Sequence, residues 1–386
     1  MNNTQKVDFS YAFGTPHRMC ISTPEASKKC LLDCTEKGVT VLWSDDDLTK
    51  IPLGAFYGPK VQWHFDILAE VNGEPLEGKQ WRRIENRLPG LEYIWKDDIT
   101  EIKLSAVSGR KWDILKFNIT NFSSNEMSAS IIGKTRDLSF NSKWIDRTSN
   151  YNALLAHYGD RSDRILFVST INTGSLRSCS NLDVDLKLDP KSSRTFFIIR
   201  PHRMFFDDLE KLVKHDWESE LNSSLNVWRT LLGKAAKYII PDKMVEDAYY
   251  ACFGDIFVAR ELSSEGFMVG LAGTDLYRCM NTCEPIIAAT VLDQSGLYLE
   301  SEYVMRGILS FQDEKTGRWD DYRRWGHEIW WIPGPRCRWI KEHYMFTRDK
   351  KFLFMGLAQM LKHVRWADGE RQKTKILNDD GSKPLS

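Results

Sequence analysis

The stretch "LAGTDLYRCMNTCEPIIAATVLDQSG", residues 271–296, begins in glycine and polar residues and ends as an apolar helix. Asp275, Tyr277, Arg278, Asn281 and Glu284 gather where the loop enters that helix. Carboxylates and a guanidinium are the groups that make charge-assisted, bidentate hydrogen bonds to a polar ligand. Only "DQSG" separates this helix from the next apolar run, "LYLESEYVMRGILSFQ". A second tight connection, "TRDK", joins "HEIWWIPGPRCRWIKEHYMFT" to "KKFLFMGLAQMLKHVRW". The "PGP" inside the former predicts a kinked helix or one that begins after Pro335. The remaining connections are long: 263–279, 313–326 and everything after Trp366. Alternate connections of an up-down helical array lie at alternate ends. The long loops are therefore expected at one end of the array, where rigid scaffolds build sites.

Upstream, "PDKMVEDAYYACFGDIFVAREL" opens with Pro and Asp, good first-turn residues, and reads as the first helix of the array. Residues 205–240 have helical spacing and read as a linker. Residues 1–204 carry short alternating or apolar runs such as "GVTVLW", "VQWHFDILAEV", "WDILKFNIT" and "RTFFIIR", divided by turn residues. That spacing predicts an antiparallel β-sandwich. No βαβ alternation, GxGxxG or P-loop is present, so a Rossmann or TIM layout is not expected. The expected organisation is a β-sandwich domain over 1–204, a helical linker over 205–240 and a helical domain over 241–386.

Fifty-three basic and 53 acidic residues leave no net charge, which argues against a nucleic-acid or anionic-membrane partner. No apolar run reaches the ~18 residues of a membrane span. No signal peptide is visible at the start, so a cytoplasmic location is expected. The eight cysteines form neither a CxxC nor a zinc set; they read as free thiols, with no metal and no cofactor implied. Fourteen Trp and 13 Tyr supply flat faces suited to sugar rings, or simply to filling a large core.

The second long loop, "DEKTGRWDDYRRWGHE", adds Trp319, Asp320, Asp321, Arg323, Arg324, Trp325, His327 and Glu328. Each has a plain structural alternative: Asp320 and Asp321 as loop caps, Arg278 with Glu284 as an ion pair, His327 as a hydrogen-bonded structural histidine. "GHE" is not HExxH, which excludes a zinc-protease reading. Glu246, Asp247 and Asp255 fall inside the first helix and read as structural acids. "WHFD" (63–66) and "WRRIENRLPG" (81–90) read as strand and turn.

These features together resemble the six-hairpin glycosidase superfamily, (α/α)6 barrels that include bacterial glucoamylases with an N-terminal β-sandwich. The resemblance is best over 228–366. Tyr277 and Arg278 match the start of a Y-R-Y-x-W-x-R-D stretch, and "LDQSG" matches its apolar helix end. Glu284 falls on the family's sugar-binding Asp, while Cys283 and Asn281 replace its Arg and Trp. Gln312 and Thr316–Trp319 resemble a Q-x-x-x-G-x-W loop. The resemblance implies an antiparallel β-sandwich followed by the first helical hairpins of an (α/α)6 toroid, and inverting hydrolysis of an oligosaccharide or glycoside. It implies sugar contacts from Asp275, Tyr277, Arg278, Asn281, Glu284, Trp319, Asp320 and Trp325. A toroid of this kind has twelve helices and this chain about five, so the sequence reads as the N-terminal part of a longer protein. No catalytic acid or base is assigned; Glu370, Asp379 and Asp380 lie in the corresponding final loop. The alternatives are a non-catalytic carbohydrate-binding or scaffold protein on the same fold, and a polysaccharide lyase. The sandwich-first domain order argues against the lyase. Oligomeric state is left open.

Overall fold

The computed structural model describes residues 17–25, 29–43, 63–137, 144–147, 151–157, 163–173, 180–202, 208–262, 268–270, 284–310, 312–319 and 333–373. The first strands are β1 (His17–Ile21), β2 (Cys30–Cys34), β3 (Gly38–Trp43), β4 (Trp63–Val71) and β5 (Glu74–Pro75). Next come β6 (Gly78–Ile84), β7 (Leu88–Lys96), β8 (Thr100–Ser108), β9 (Trp112–Asn121) and β10 (Met127–Asp137). The last of the set are β11 (Trp144–Arg147), β12 (Ala153–His157), β13 (Asp163–Ser169), β14 (Asn181–Leu188) and β15 (Ser193–Pro201). One sheet runs β1-β2-β3-β4-β10-β14 with β5 on β4; the other runs β11-β12-β13-β15-β9-β8-β7-β6. Among the described residues the strand ladders are antiparallel. This is the antiparallel sandwich that the spacing of short runs predicts.

Strand alternation makes its core. In β4, Trp63, Phe65, Ile67, Ala69 and Val71 are buried, and Leu68 between them is exposed. They share one cluster with Tyr93, Trp95, Leu104, Phe117 and Phe167 from the second sheet. Phe65 and Phe167 stack across the two sheets at 3.8 Å. Gly133 on β10 is required here, since a Cβ would lie 2.2 Å from the Phe65 ring. Burial pushes the Cys34 thiol up to about 12 and raises Cys30 as well, which keeps both protonated and inert.

The linker forms α1 (Leu209–Lys214) and α2 (Trp217–Gly233), and α3 follows at Lys243–Val258. Asp216 and Asp242 act as caps: Asp216 accepts from the Ser219 N–H at 3.0 Å, and Asp242 from the Met244 N–H at 2.8 Å. By its contacts α3 belongs to the same compact unit as the sandwich. Arg87 in the β6–β7 turn donates to Asp247 at 2.5 Å and to Glu246 at 2.8 Å, and Arg83 to Asp255 at 2.6 Å. Those three acids are structural partners. Buried Lys29 donates to the Val258 carbonyl, placing a cation at the negative end of the α3 dipole. The helix stops there; Arg260–Leu262, read from sequence as helix, instead forms β16 and pairs with β17 (Met268–Gly270).

The second compact unit holds β16, β17, α4 (Glu284–Gln294), α5 (Tyr298–Leu309), α6 (Pro333–Thr347) and α7 (Lys350–Lys373). Two hairpins result, joined by the tight turns seen in the sequence. At the first, Gly296 takes φ +78° and the Leu297 N–H returns to the Leu292 carbonyl at 2.8 Å. At the second, Arg348 takes φ +57° and its N–H bonds the Tyr344 carbonyl at 2.8 Å. Asp349 then caps α7, accepting from the Lys351 and Phe352 N–H groups at 2.8 and 3.1 Å. Two expectations shift. α6 starts at Pro333, so both prolines of "PGP" sit in its first turn, where a missing N–H removes no helical bond. α7 runs past Trp366 to Lys373, which places Glu370 on a helix and not in a loop.

Candidate functional site

Within the helical unit the two ends differ in chemistry. At the turn end, Asp293 near the end of α4 meets His343 in the last turns of α6, 2.8 Å apart and fully buried. Ser301 of α5 donates to the Ala289 carbonyl at 2.9 Å and accepts from the Trp339 indole at 3.2 Å. α4 and α6 are thereby fixed side by side and parallel. The Asp of "LDQSG" thus has a visible role as a buried strut. Its partner His343, 50 residues away, carries no sequence signal beyond its helical face.

At the opposite end, the segment 312–319 is fitted between the start of α6 and the second half of α7. Gln312 donates from Nε2 to the Gly317 carbonyl at 2.9 Å and to the Gln359 carbonyl of α7 at 2.7 Å. Asp313 closes the turn by accepting from the Thr316 N–H at 2.7 Å, from its hydroxyl at 3.0 Å and from the Lys315 N–H at 3.0 Å. These bonds hold its carboxyl below the usual range. Gly317 takes φ +78°, and a Cβ there would lie 2.7 Å from the Lys362 carbonyl oxygen. The Gln, Gly and Trp of the recognised loop therefore each have a mechanical reason to be present.

Trp319 is 3% exposed. His363 stacks on its ring at 5.1 Å, and the buried Arg336 guanidinium lies 5.6 Å from its centre. The Trp319 backbone N–H donates to His363 Nδ1 at 3.2 Å. Burial, then the neighbouring Arg336, push this imidazole down to about 4, so it stays neutral and can accept. The contact between Trp319 and Arg336 joins the end of the 312–319 segment to the first turn of α6. Sequence reasoning singled out Trp319 but not Arg336, His363 or Gln359, which reach it from other helices.

Of the other candidate ligands, Asp275, Tyr277, Arg278, Asn281, Asp320 and Trp325 lie outside the described residues, as do Asp321, Arg323, Arg324, His327, Glu328, Asp379 and Asp380. Glu284 is the first residue of α4; its side chain lies outside the described set. Because α4 is parallel to α6, Glu284 opens its helix at the end where Trp319 and Pro333 also lie. In the sequence, 271–283 leads into Glu284, and 320–332 runs from Trp319 to Pro333.

No protein-family profile and no curated protein sequence matches the chain. Solved structures do. A bacterial glucoamylase complexed with acarbose is 8% identical, with a TM-score of 0.58 over 92% of this chain and 67% of that one. A family GH92 inverting mannosidase from Bacteroides thetaiotaomicron is 10% identical, with a TM-score of 0.40 over 83% of this chain and 48% of its own. The chain thus spans about two thirds of the glucoamylase and about half of the mannosidase. At such identities the likeness is one of fold. It covers the sandwich and the helices alike: the chain has a glycosidase-like fold, an antiparallel β-sandwich followed by a helical region.

Proposed function

We propose that the protein is carbohydrate-active, a glycoside hydrolase-like chain that binds an oligosaccharide or glycoside where its long helical connections gather. The observation that carries this reading is the fold likeness to the glucoamylase across both the sandwich and the helices. The helices would be the first hairpins of an (α/α)6 toroid, with 1–204 as the bracing domain, 205–240 as linker and 241–386 as the partial barrel. Asp275, Tyr277, Arg278, Asn281, Glu284, Asp320 and Trp325 would contact the sugar; Trp319, expected from the sequence to do so as well, is 3% exposed and is assigned a supporting role instead. Trp319, enclosed by His363 and Arg336, would hold the second loop in place. Hydrolysis would follow the general acid–base route of inverting enzymes, with a water placed between two carboxyl groups.

The replacement of the family's Trp and Arg by Asn281 and Cys283 favours a second reading, sugar binding without turnover. Calorimetric titration with acarbose and assays on a panel of aryl glycosides separate the two. Binding with release of the aryl group supports a hydrolase; binding without release supports the second reading. No binding and no release across the panel removes both. An unsaturated product absorbing in the ultraviolet would point instead to a lyase. A cytoplasmic location is proposed with this reading, and fractionation tests it.

A further inference from the structure

α7 has two opposite faces in different surroundings. One is buried, through Phe352, Gly356, Gln359 and His363, against the rest of its unit. The other is exposed: Phe354, Leu357, Leu361 and Val364 are 66%, 38%, 49% and 55% accessible. Their spacing is 3-4-3, the a/d seam of a coiled coil. The seam is bounded by Lys350 four residues before it and Asp368 four residues after it, both exposed. At ~100° per residue all six side chains fall within about 80° of one another, opposite the buried face. The line is about 27 Å long at ~1.5 Å per residue.

The seam is complementary to itself reversed. Centred on Gln359, an antiparallel copy sets Phe354 against Val364, Leu357 against Leu361 and Lys350 against Asp368. Every apolar layer meets an apolar layer, and both ends meet an opposite charge. We propose that this face of α7 docks a second copy of the chain, as a twofold antiparallel helix pair. An isologous interface of this kind repeats each contact twice, so the charged layer appears at both ends. A parallel pairing would instead place Lys350 against Lys350 and Asp368 against Asp368. Asp368 also contacts Arg371 of its own helix at 3.2 Å, an exposed pair that can share the carboxylate with a partner.

Sedimentation velocity on the full 386-residue chain over a hundredfold concentration range tests the proposal. The wild type is expected to move from monomer to dimer as concentration rises. Leu361→Glu should shift the transition at least tenfold upward. Lys350→Asp and Asp368→Lys should each weaken self-association, and an equimolar mixture of these two variants should restore it. The restoration follows because each partner then supplies the sign the other lacks. Circular dichroism of the variants should match the wild type, since all three positions are exposed. A wild type that stays monomeric throughout overturns the proposal. So does a dimer indifferent to Leu361→Glu, or a mixture no stronger than its components.

Discussion

His363 accepts the Trp319 N–H only while its ring is neutral. Its pKa lies near 4, against an ordinary 6.5, so between those values the unfolded chain binds a proton that the native chain does not. Stability should therefore fall as pH drops from about 6.5 towards 4, and be flat on either side for this group. His363→Gln keeps an acceptor that does not titrate. Urea unfolding at stepped pH should show its acid-side slope reduced by about one proton. Asp113 has the same sign, in a more acidic range: its carboxyl is lowered too, so its contribution is also lost as pH falls. Burial alone would raise its carboxyl. Arg200, donating from Nε at 2.6 Å, outweighs it together with His202 at 3.2 Å and Ser108 at 2.6 Å, and holds it well below the usual range. Arg200→Met strands a buried charge and should cost about 3–5 kcal/mol in urea unfolding, whereas pairing it with Asp113→Leu should recover most of that. Neither cluster was legible beforehand: Asp113 and Arg200 are 87 residues apart, and Trp319 and His363 are 44. A lone sequence reports a residue's type but not its distant partner.

At the scale of elements the sequence was more informative, because periodicity is local. The alternation of "VQWHFDILAEV" became β4, and both tight helical turns fell where "DQSG" and "TRDK" placed them. The losses were at boundaries. β1 and β2 are five-residue strands, too short for alternation to stand out. Arg260–Leu262 continued an apolar rhythm and so looked helical, but its partner is β17. Glycines separate by the same local logic. Gly317, at φ +78° against the Lys362 backbone, permits no side chain; Gly317→Ala should cost about 2 kcal/mol and loosen the 312–319 segment. Gly369, inside α7 with nothing within 4 Å of a Cβ, should do the reverse. Gly369→Ala is expected to stabilise by about 0.5–1 kcal/mol. Thermal melts of the two variants, read against the wild type, should move in opposite directions.

For the whole molecule, the order of long and short connections set where a site was expected, and the described residues show α4 and α6 running parallel, with Glu284 and Pro333 opening them at the same end. The chemistry of the candidate site was legible only as a cluster of residue types, because how such side chains face one another depends on partners far apart in the chain. The sugar reading rests on the fold likeness, and Arg278 and Glu284, the latter at the first position of α4, are the charged candidates through which it is tested. A guanidinium and a carboxylate at a helix entrance could equally pair with each other. The two roles differ in what deletion does. If they bind sugar, Arg278→Ala and Glu284→Ala should each weaken acarbose by about 10- to 100-fold, since each loses a charge-assisted hydrogen bond of about 1.5–3 kcal/mol. Melting temperature should then stay within a degree or two of wild type. If they only pair across the helix entrance, acarbose affinity should be unchanged and both variants should lower the melting temperature to the same extent. Calorimetric titration and a thermal melt on the same three proteins decide between a ligand set and a structural clasp.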